Sequence, residues 1–280
     1  MLRYLSLLRP KQWVKNFIIF FPAFFGGLIL DSQVLKKLVY GFFLFSFISS
    51  AGYIINDIRD KEKDAKHPIK KHRAIASGEI EIKNAILLAI FLALFGFLSS
   101  FFLNKYFLLI VFIYFINTLF YSIYLKRIPY LDIVIIAFGF GLRLYAGHIL
   151  SGIRLSLWLV CLTLIVAVML ASGKRLEELE VSENSGLFRD SLKGYSKDVV
   201  IFILVSTAIL SVVVFGFYLY FKGGFNFLLF LDSSLLVFNY AYSAIKLKQG
   251  EPTDFFMKNK LNIFLLFLWT LLFFERVYLF

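Results

Sequence analysis

The sequence predicts an all-α polytopic membrane protein of about nine transmembrane helices. Three observations predict it. Hydrophobic residues make up 60% of the 280, and Phe alone occurs 36 times. Mean hydropathy is +0.81, more apolar surface than a water-soluble domain of this length needs. Apolar runs near the length that crosses a bilayer recur along the whole chain.

Taken in order, the runs fall at about 16–30, 38–55, 84–103, 106–125, 131–150, 155–172, 199–221, 225–245 and 261–279. The first follows Arg9, Lys11 and Lys15 in the manner of a signal peptide. No small-residue cleavage site follows it and Pro22 interrupts it, so it reads as a span. The two long polar stretches, 56–83 and 173–198, come after spans two and six. Spans one to four and five to eight thus share a rhythm, as a pseudo-repeated bundle would. The other connections are short, so neighbouring spans should pack antiparallel. No linker rich in Pro, Gly or Ser marks a second domain, and residues 1–280 read as a single integral membrane domain.

Charge sets the orientation. With the N-terminus in the cytoplasm, 23 of the 30 Lys and Arg fall on cytoplasmic segments, 6 on outer segments and 1, Arg143, inside a span. This is a strong positive-inside bias. The protein is expected in the cell's inner or plasma membrane, with its N-terminus and both polar loops cytoplasmic. The net charge of +12 therefore reflects topology and anionic headgroups rather than nucleic acid. The single Cys161 lies in an apolar span and can form no internal disulfide.

Chemistry concentrates beside span two. "NDIRDKEKDAKHPIKKHR", Asn56 to Arg73, holds four acids and seven bases in eighteen residues. Asn56, Asp57, Asp60 and Asp64 follow N-D-x-x-D-x-x-x-D. If the helix of span two continues past Ile55, they fall within an arc of roughly 100°. Such oxygen ligands suit a hard cation, and Mg²⁺ prefers a few carboxylates plus substrate phosphate oxygens. Lys70 and Arg73 are placed to hold the outer oxygens of a diphosphate. His67 and His72 read as loop residues. The alternative is a solvated helix end balanced by Arg59, Lys61 and Lys63.

The second loop opens "ASGKRLEELEVSENSGLFRDSLKGYS". Lys174, Arg175 and Glu178 stand just beyond span six, with Glu177 and Glu180 nearby. They read as helical ion pairs or as the facing wall of the site; Arg189, Lys193 and Tyr195 add phosphate-binding capacity. Lys15 and Asn16 mark the start of span one, where Trp13 reads as an interfacial anchor. Tyr121, Lys126 and Asp132 flank the turn before span five. Arg143 lies roughly 16 Å into that span, a depth that requires a cavity and a partner. Asp232 in span eight is one candidate partner; a substrate phosphate is the other.

The N-D-x-x-D-x-x-x-D motif after a second span, with a polar loop after span six, resembles the UbiA-type superfamily of membrane prenyltransferases over essentially the whole chain. The resemblance implies a UbiA-like bundle with a cavity open to the cytoplasm. In the usual members two aspartate-rich motifs hold Mg²⁺ and a prenyl diphosphate, and an aromatic acceptor attacks the allylic carbon. Here the second loop carries K-R-x-x-E in place of aspartates. "RPKQWVKN", "NDIRDKEKDAKHPIKKHRAIASG", "LRLYAG" and "KRLEEL…SLKGYS" are similar to the decaprenyl-phosphate phosphoribosyltransferase branch, although Ala74 stands where that branch usually has proline.

That resemblance implies transfer of 5-phosphoribose from phosphoribosyl pyrophosphate to a polyprenyl phosphate, releasing pyrophosphate. It places Mg²⁺, with Mn²⁺ as the alternative, on Asp57, Asp60 and Asp64. Substrate contacts are expected from Lys15, Asn16, Asn56, Lys70, Arg73, Tyr121, Lys126, Arg143, Lys174, Arg175, Glu178, Arg189 and Tyr195. The cationic surplus suits two phosphorylated substrates. Conventional prenyl transfer to an aromatic acceptor is the rival enzyme reading, and an anion transporter is the rival class. The sequence leaves the oligomeric state open.

Overall fold

The computed structural model describes residues 2–66, 70–185, 192, 194–222 and 225–279. Among these no strand occurs. Among the described residues eight helices are long and apolar enough to cross a membrane, which makes this an integral membrane protein. They are α3 (Ser32–Arg59), α5 (Ile82–Leu103), α6 (Lys105–Ile123), α7 (Leu131–Ser151), α8 (Leu157–Ser185), α9 (Lys197–Phe221), α10 (Phe227–Lys246) and α12 (Lys260–Tyr278). Shorter helices are α1 (Leu2–Leu8), α2 (Phe21–Phe25), α4 (Lys61–Ala65) and α11 (Pro252–Lys258).

The first expected span, 16–30, is not one α-helix. A 3₁₀ segment, Pro10–Phe20, runs into α2, which ends before Gly27 in the left-handed region. Pro10 opens the 3₁₀ segment and Pro22, one residue into α2, lacks an amide proton to bond back into the preceding turn. Trp13 is tied inward: its indole N–H donates to the Leu8 carbonyl at 3.0 Å and to Ser50 Oγ at 3.1 Å. The two long polar stretches are also more helical than expected. α3 continues through the first four residues of the acidic motif, and α8 continues through Ser185.

Asx caps set the starts of α3, α6, α10 and α12, because a short side-chain oxygen satisfies otherwise unpaired amides of the first turn. Asp31 accepts from Gln33 and Val34 at 2.8 and 2.9 Å. Asn104 both ends α5 and caps α6, accepting from Tyr106 and Phe107 at 2.8 and 3.1 Å. Asn226 and Asn259 cap α10 and α12 at 3.0 and 2.9 Å.

The chain forms two compact units. Unit 1 comprises 1–23, 28–125 and 142–153; unit 2 comprises 24–27, 126–141 and 154–280. Unit 1 buries Phe45, Ile48, Phe107 and Val111 around α3, and a second apolar cluster holds Ile54, Ile75 and Ala85. Gly147 allows α7 to lie on the 3₁₀ segment: a Cβ there would stand 2.1 Å from the Ile19 carbonyl oxygen. This close approach through a small residue is typical of membrane helices. Unit 2 buries Leu176, Val200, Leu204 and Tyr240 in one cluster and Leu219, Leu229 and Phe273 in another.

Candidate active site

The residues of the acidic motif belong to unit 1. α3 ends at Arg59, and Asp60 (φ −90°, ψ 7°) joins it to α4. The expected continuous helical face is therefore broken at Asp60. The fold nevertheless brings Asp57 and Asp64 together on one side chain. Arg73 Nη1 donates to Asp57 Oδ1 at 3.0 Å and to Asp64 Oδ2 at 2.6 Å. Asp57 and Asp64 are 4% and 6% exposed, so the guanidinium offsets two carboxylates with little access to water. Arg9 pairs with the same oxygen of Asp57 and stacks over Tyr53, 5.4 Å from the ring centroid. Asn56 and Asp60 are half-buried beside them.

Among the described residues no three His, Cys, Asp or Glu side chains gather as a ready-made metal cage. Mg²⁺ does not require one, since it takes one or two carboxylates and leaves positions for water and phosphate. Asp57 and Asp64 supply hard oxygen donors, and both oxygens lie within 3.0 Å of one nitrogen. The donor set therefore fits a small divalent cation.

A polar column continues from this motif along α3, through Tyr53, Ser50, Ser49 and Ser46, about 16 Å at 1.5 Å per residue. At its inner end Arg143 is 4% exposed. Its Nε donates to Asn16 Oδ1 and its Nη2 to the Tyr114 hydroxyl, both at 2.7 Å. Asn16 in turn donates to Ser46 Oγ at 2.9 Å, and Ser49 donates to Tyr114 at 3.2 Å. The rings of Tyr114 and Phe45 face the guanidinium at 4.5 and 5.2 Å, adding cation–π attraction. Asp232 is the candidate partner the sequence offers; its buried carboxylate oxygens have no hydrogen-bond partner, whereas Asn16 and Tyr114, which Arg143 does bond, belong to unit 1. Lys15, Lys70 and Tyr121, also in unit 1, are half-buried.

Unit 2 holds a second network, centred on α8. Arg175 is 4% exposed and Asp132, at the start of α7, is 1% exposed. Arg175 Nε donates to Asp132 Oδ2 at 2.6 Å. Glu178 pairs with the other arm of Arg175, three residues on in the helix, so the ion-pair reading of these two is realised. The Tyr195 hydroxyl donates to the second Asp132 oxygen. Burial, followed by that bond to a carboxylate, pushes the Tyr195 phenol above its ordinary range. Lys174 reaches Glu251 at 2.5 Å, and Glu180 takes Lys197 and Lys248, the latter at 2.8 Å. Lys126 is buried at 8% exposure. Arg189, expected at this site, lies outside the described residues, as do His67 and Lys193.

Sequence reasoning missed Arg9, Tyr53, Tyr114 and Glu251, and gave Asp132 no role. One signal joins several members of these networks. Among the described residues, the non-glycine residues with positive φ are Arg9 (50°), Tyr130 (65°) and Lys248 (56°). Arg9 pairs with Asp57 and Lys248 with Glu180, while Tyr130 packs on Tyr195 with centroids 4.7 Å apart and accepts the Ser196 N–H. Strained backbone of this kind persists where surrounding interactions over-determine it, commonly at functional sites.

Known proteins bear on this arrangement. Decaprenyl-phosphate phosphoribosyltransferase of Mycobacterium tuberculosis is 28% identical over 271 residues, 94% of this chain and 90% of that protein. A 4-hydroxybenzoate octaprenyltransferase of Francisella tularensis is 30% identical over 252 residues, 85% of each chain. A protein designated y4nM, from Sinorhizobium fredii, is 37% identical over 192 residues, 68% of this chain but 37% of its own longer length. Among solved structures, a UbiA homolog from Archaeoglobus fulgidus bound to GPP and Mg²⁺ superposes with a TM-score of 0.72 at 20% identity, covering 98% of both chains. The sequence profile of the UbiA prenyltransferase family matches residues 19–271. With eight membrane-length helices, the acidic motif at the end of α3 and that match over most of its length, the chain belongs to the UbiA prenyltransferase family and is a membrane transferase.

Proposed function

We propose that this transferase moves 5-phosphoribose from phosphoribosyl pyrophosphate to a polyprenyl phosphate and releases pyrophosphate. The observation that carries the reading is the Arg175 centre. Where the usual family has a second aspartate-rich motif, unit 2 presents a buried arginine fixed between Asp132 and Glu178. A second acidic motif suits a metal-bound diphosphate; a fixed cation suits a second phosphorylated substrate, whose charge would otherwise repel the first. Similarity to a phosphoribosyltransferase over 94% of the chain supports the same reading.

The residue roles follow from charge and burial. Asp57, Asp60 and Asp64 would hold a divalent cation, Mg²⁺ or Mn²⁺, which when bound neutralises charge on the departing pyrophosphate. Arg73, Arg9 and Lys70 donate to diphosphate oxygens, and Asn56 orients the same group. Arg143, held by Asn16 and Tyr114, presents a fixed cation at membrane depth for the acceptor phosphate, with Lys15 beside Asn16 in sequence. In unit 2, Lys126, Lys174, Arg175 and Tyr195 are the phosphate-binding groups. The bond between the anomeric carbon and pyrophosphate breaks with its electron pair leaving on oxygen, and an acceptor phosphate oxygen forms the new bond. That oxygen is already anionic, so the step needs no strong general base.

Residues 1–280 are taken as a single transferase domain, with the N-terminus and the acidic motif cytoplasmic, where a water-soluble donor is available. Purified protein is given either phosphoribosyl pyrophosphate with a polyprenyl phosphate, or a prenyl diphosphate with an aromatic acid. Label from the sugar donor should enter the lipid phase with release of pyrophosphate. Lipid-phase label from the aromatic pair alone would replace this reading with prenyl transfer, which similarity to the octaprenyltransferase makes the natural rival.

A further inference from the structure

We propose that unit 1 carries a binding site for an anionic phospholipid at the end of its helices opposite the acidic motif. The site is a cavity of about 420 Å³ between the start of α6 and the end of α7. Its polar rim includes Asn104, Tyr106 and His148, and its apolar wall includes Leu109, Ile110 and Ile149. α6 has 19 residues, so about 28 Å separates this rim from the far end of α6. The site thus lies outside the chemistry assigned above.

The occupant is argued from charge and amphipathicity. Neither wall segment, 103–112 or 142–153, contains an Asp or Glu. Lys105, between the lining residues Asn104 and Tyr106, is exposed, and its ammonium is 5.1 Å from the centroid of the Tyr106 ring. His148 Nδ1 is 2.6 Å from the Ile153 carbonyl oxygen; a carbonyl only accepts, so Nδ1 carries the hydrogen and Nε2 is the nitrogen left for other partners. Gly152, which also lines the cavity, lies at φ 73°, and a Cβ there would meet nothing within 4 Å. Tyr106 and Tyr145 are 59% and 45% exposed, as aromatic residues are at the headgroup level of a bilayer. The cation Lys105 beside the rim, the polar side chains of the rim and the aliphatic wall match a phosphate headgroup with its acyl chain. A soluble anion would leave the aliphatic wall uncovered.

The full-length protein in detergent, titrated with phosphatidylglycerol or phosphatidylcholine and read by native mass spectrometry, tests this. One phosphatidylglycerol should bind at least tenfold more tightly than phosphatidylcholine. Lys105→Glu should remove that preference. An acid in the first turn of α6 favours the helix, so folding is retained while the phosphate is repelled. Ile149→Trp, which fills the cavity without changing charge, should weaken both lipids and serves if Lys105→Glu fails to fold. Lys36→Glu, on α3, should leave the preference intact. Equal affinity for the two lipids, equal loss in Lys36→Glu, or displacement of the bound lipid by a polyprenyl phosphate would overturn the assignment.

Discussion

Asp132→Asn is the sharpest test of the unit 2 network. The substitution keeps the shape of the side chain and removes a charge that is 1% exposed. Asp132 accepts from Arg175 Nε at 2.6 Å through one oxygen and from the Tyr195 hydroxyl through the other. An asparagine oxygen can replace one of these acceptors; its amide then faces the other donor. Breaking a buried ion pair costs about 3–5 kcal/mol. Arg175 keeps Glu178, so the lower end applies, about 3 kcal/mol. For a chain of this size that corresponds to a fall in Tm of about 6–12 °C. The single Cys161 is half-buried, so a thiol-reactive dye in a thermal ramp reports unfolding directly. Tyr195→Phe alone removes one donor and should cost about 1 kcal/mol. Because the two residues share a bond, the double variant should lose less than the two single variants combined. A fall below 2 °C for Asp132→Asn, or strict additivity in the cycle, would refute the buried Asp132–Arg175–Tyr195 arrangement.

Asp57→Asn should lower turnover about 100-fold or more, the scale of removing one transition-state partner, while the thermal ramp still shows a folded protein. Near-normal turnover at saturating Mg²⁺ would remove Asp57 from the chemistry. Arg143→Lys keeps the charge but cannot serve Asn16 and Tyr114 in the same fork; the loss of one charged hydrogen bond should raise the acceptor KM about tenfold, with the donor KM little changed. Equal effects on both substrates would contradict the acceptor assignment. The Tyr195 phenol is raised above its ordinary value of 10.0, so the folded state holds that proton more tightly than the unfolded state. Its contribution is complete below pH 10 and is lost as pH rises beyond it. Tyr195→Phe should therefore flatten the alkaline decline in Tm between pH 9.5 and 11, and an unchanged slope would assign that decline to other groups.

Much of the fold was legible because a bilayer imposes one period and one length on its spans. The last seven apolar runs match α5 to α10 and α12 within a few residues, except where α8 runs on to Ser185. The first run failed for a local reason: apolar composition cannot separate an α-helix from a 3₁₀ segment, and Pro10 and Pro22 change the backbone hydrogen bonding without changing hydropathy. The acidic motif was legible as a spacing, but the break at Asp60 was not, because no Gly or Pro marks it. Arg9 was invisible as a partner of Asp57, 48 residues away. Only the fold brings the turn at Arg9 beside the end of α3, and nothing about an isolated arginine signals a left-handed backbone. Arg143 was legible as an anomaly. A buried arginine in an apolar run demands compensation, yet the sequence offered an acid in the eighth run where the structure supplies an amide and a phenol.

That choice of partners has a chemical consequence. A carboxylate beside Arg143 would cancel its charge and leave little field for a ligand; a neutral amide and hydroxyl satisfy its donors while the positive charge remains. The ring faces of Tyr114 and Phe45 stabilise that charge in the same way, without neutralising it. Arg175 is built differently, between Asp132 and Glu178, so its local charge is offset and its guanidinium is held rigidly. In unit 1 the relation is reversed, with Asp57 held by Arg9 and by Arg73, which also holds Asp64. An anion entering unit 1 can draw Arg9 and Arg73 away from acids that a cation can then take over. Asn16 and Tyr114, which an anion at Arg143 would meet, are both neutral. Binding at Arg143 should therefore gain more from an added phosphate than binding at Arg175, whose acids must first be outcompeted. The acceptor phosphate proposed above is thus expected to be read at Arg143, while a phosphate at Arg175 must exchange with Asp132 or Glu178.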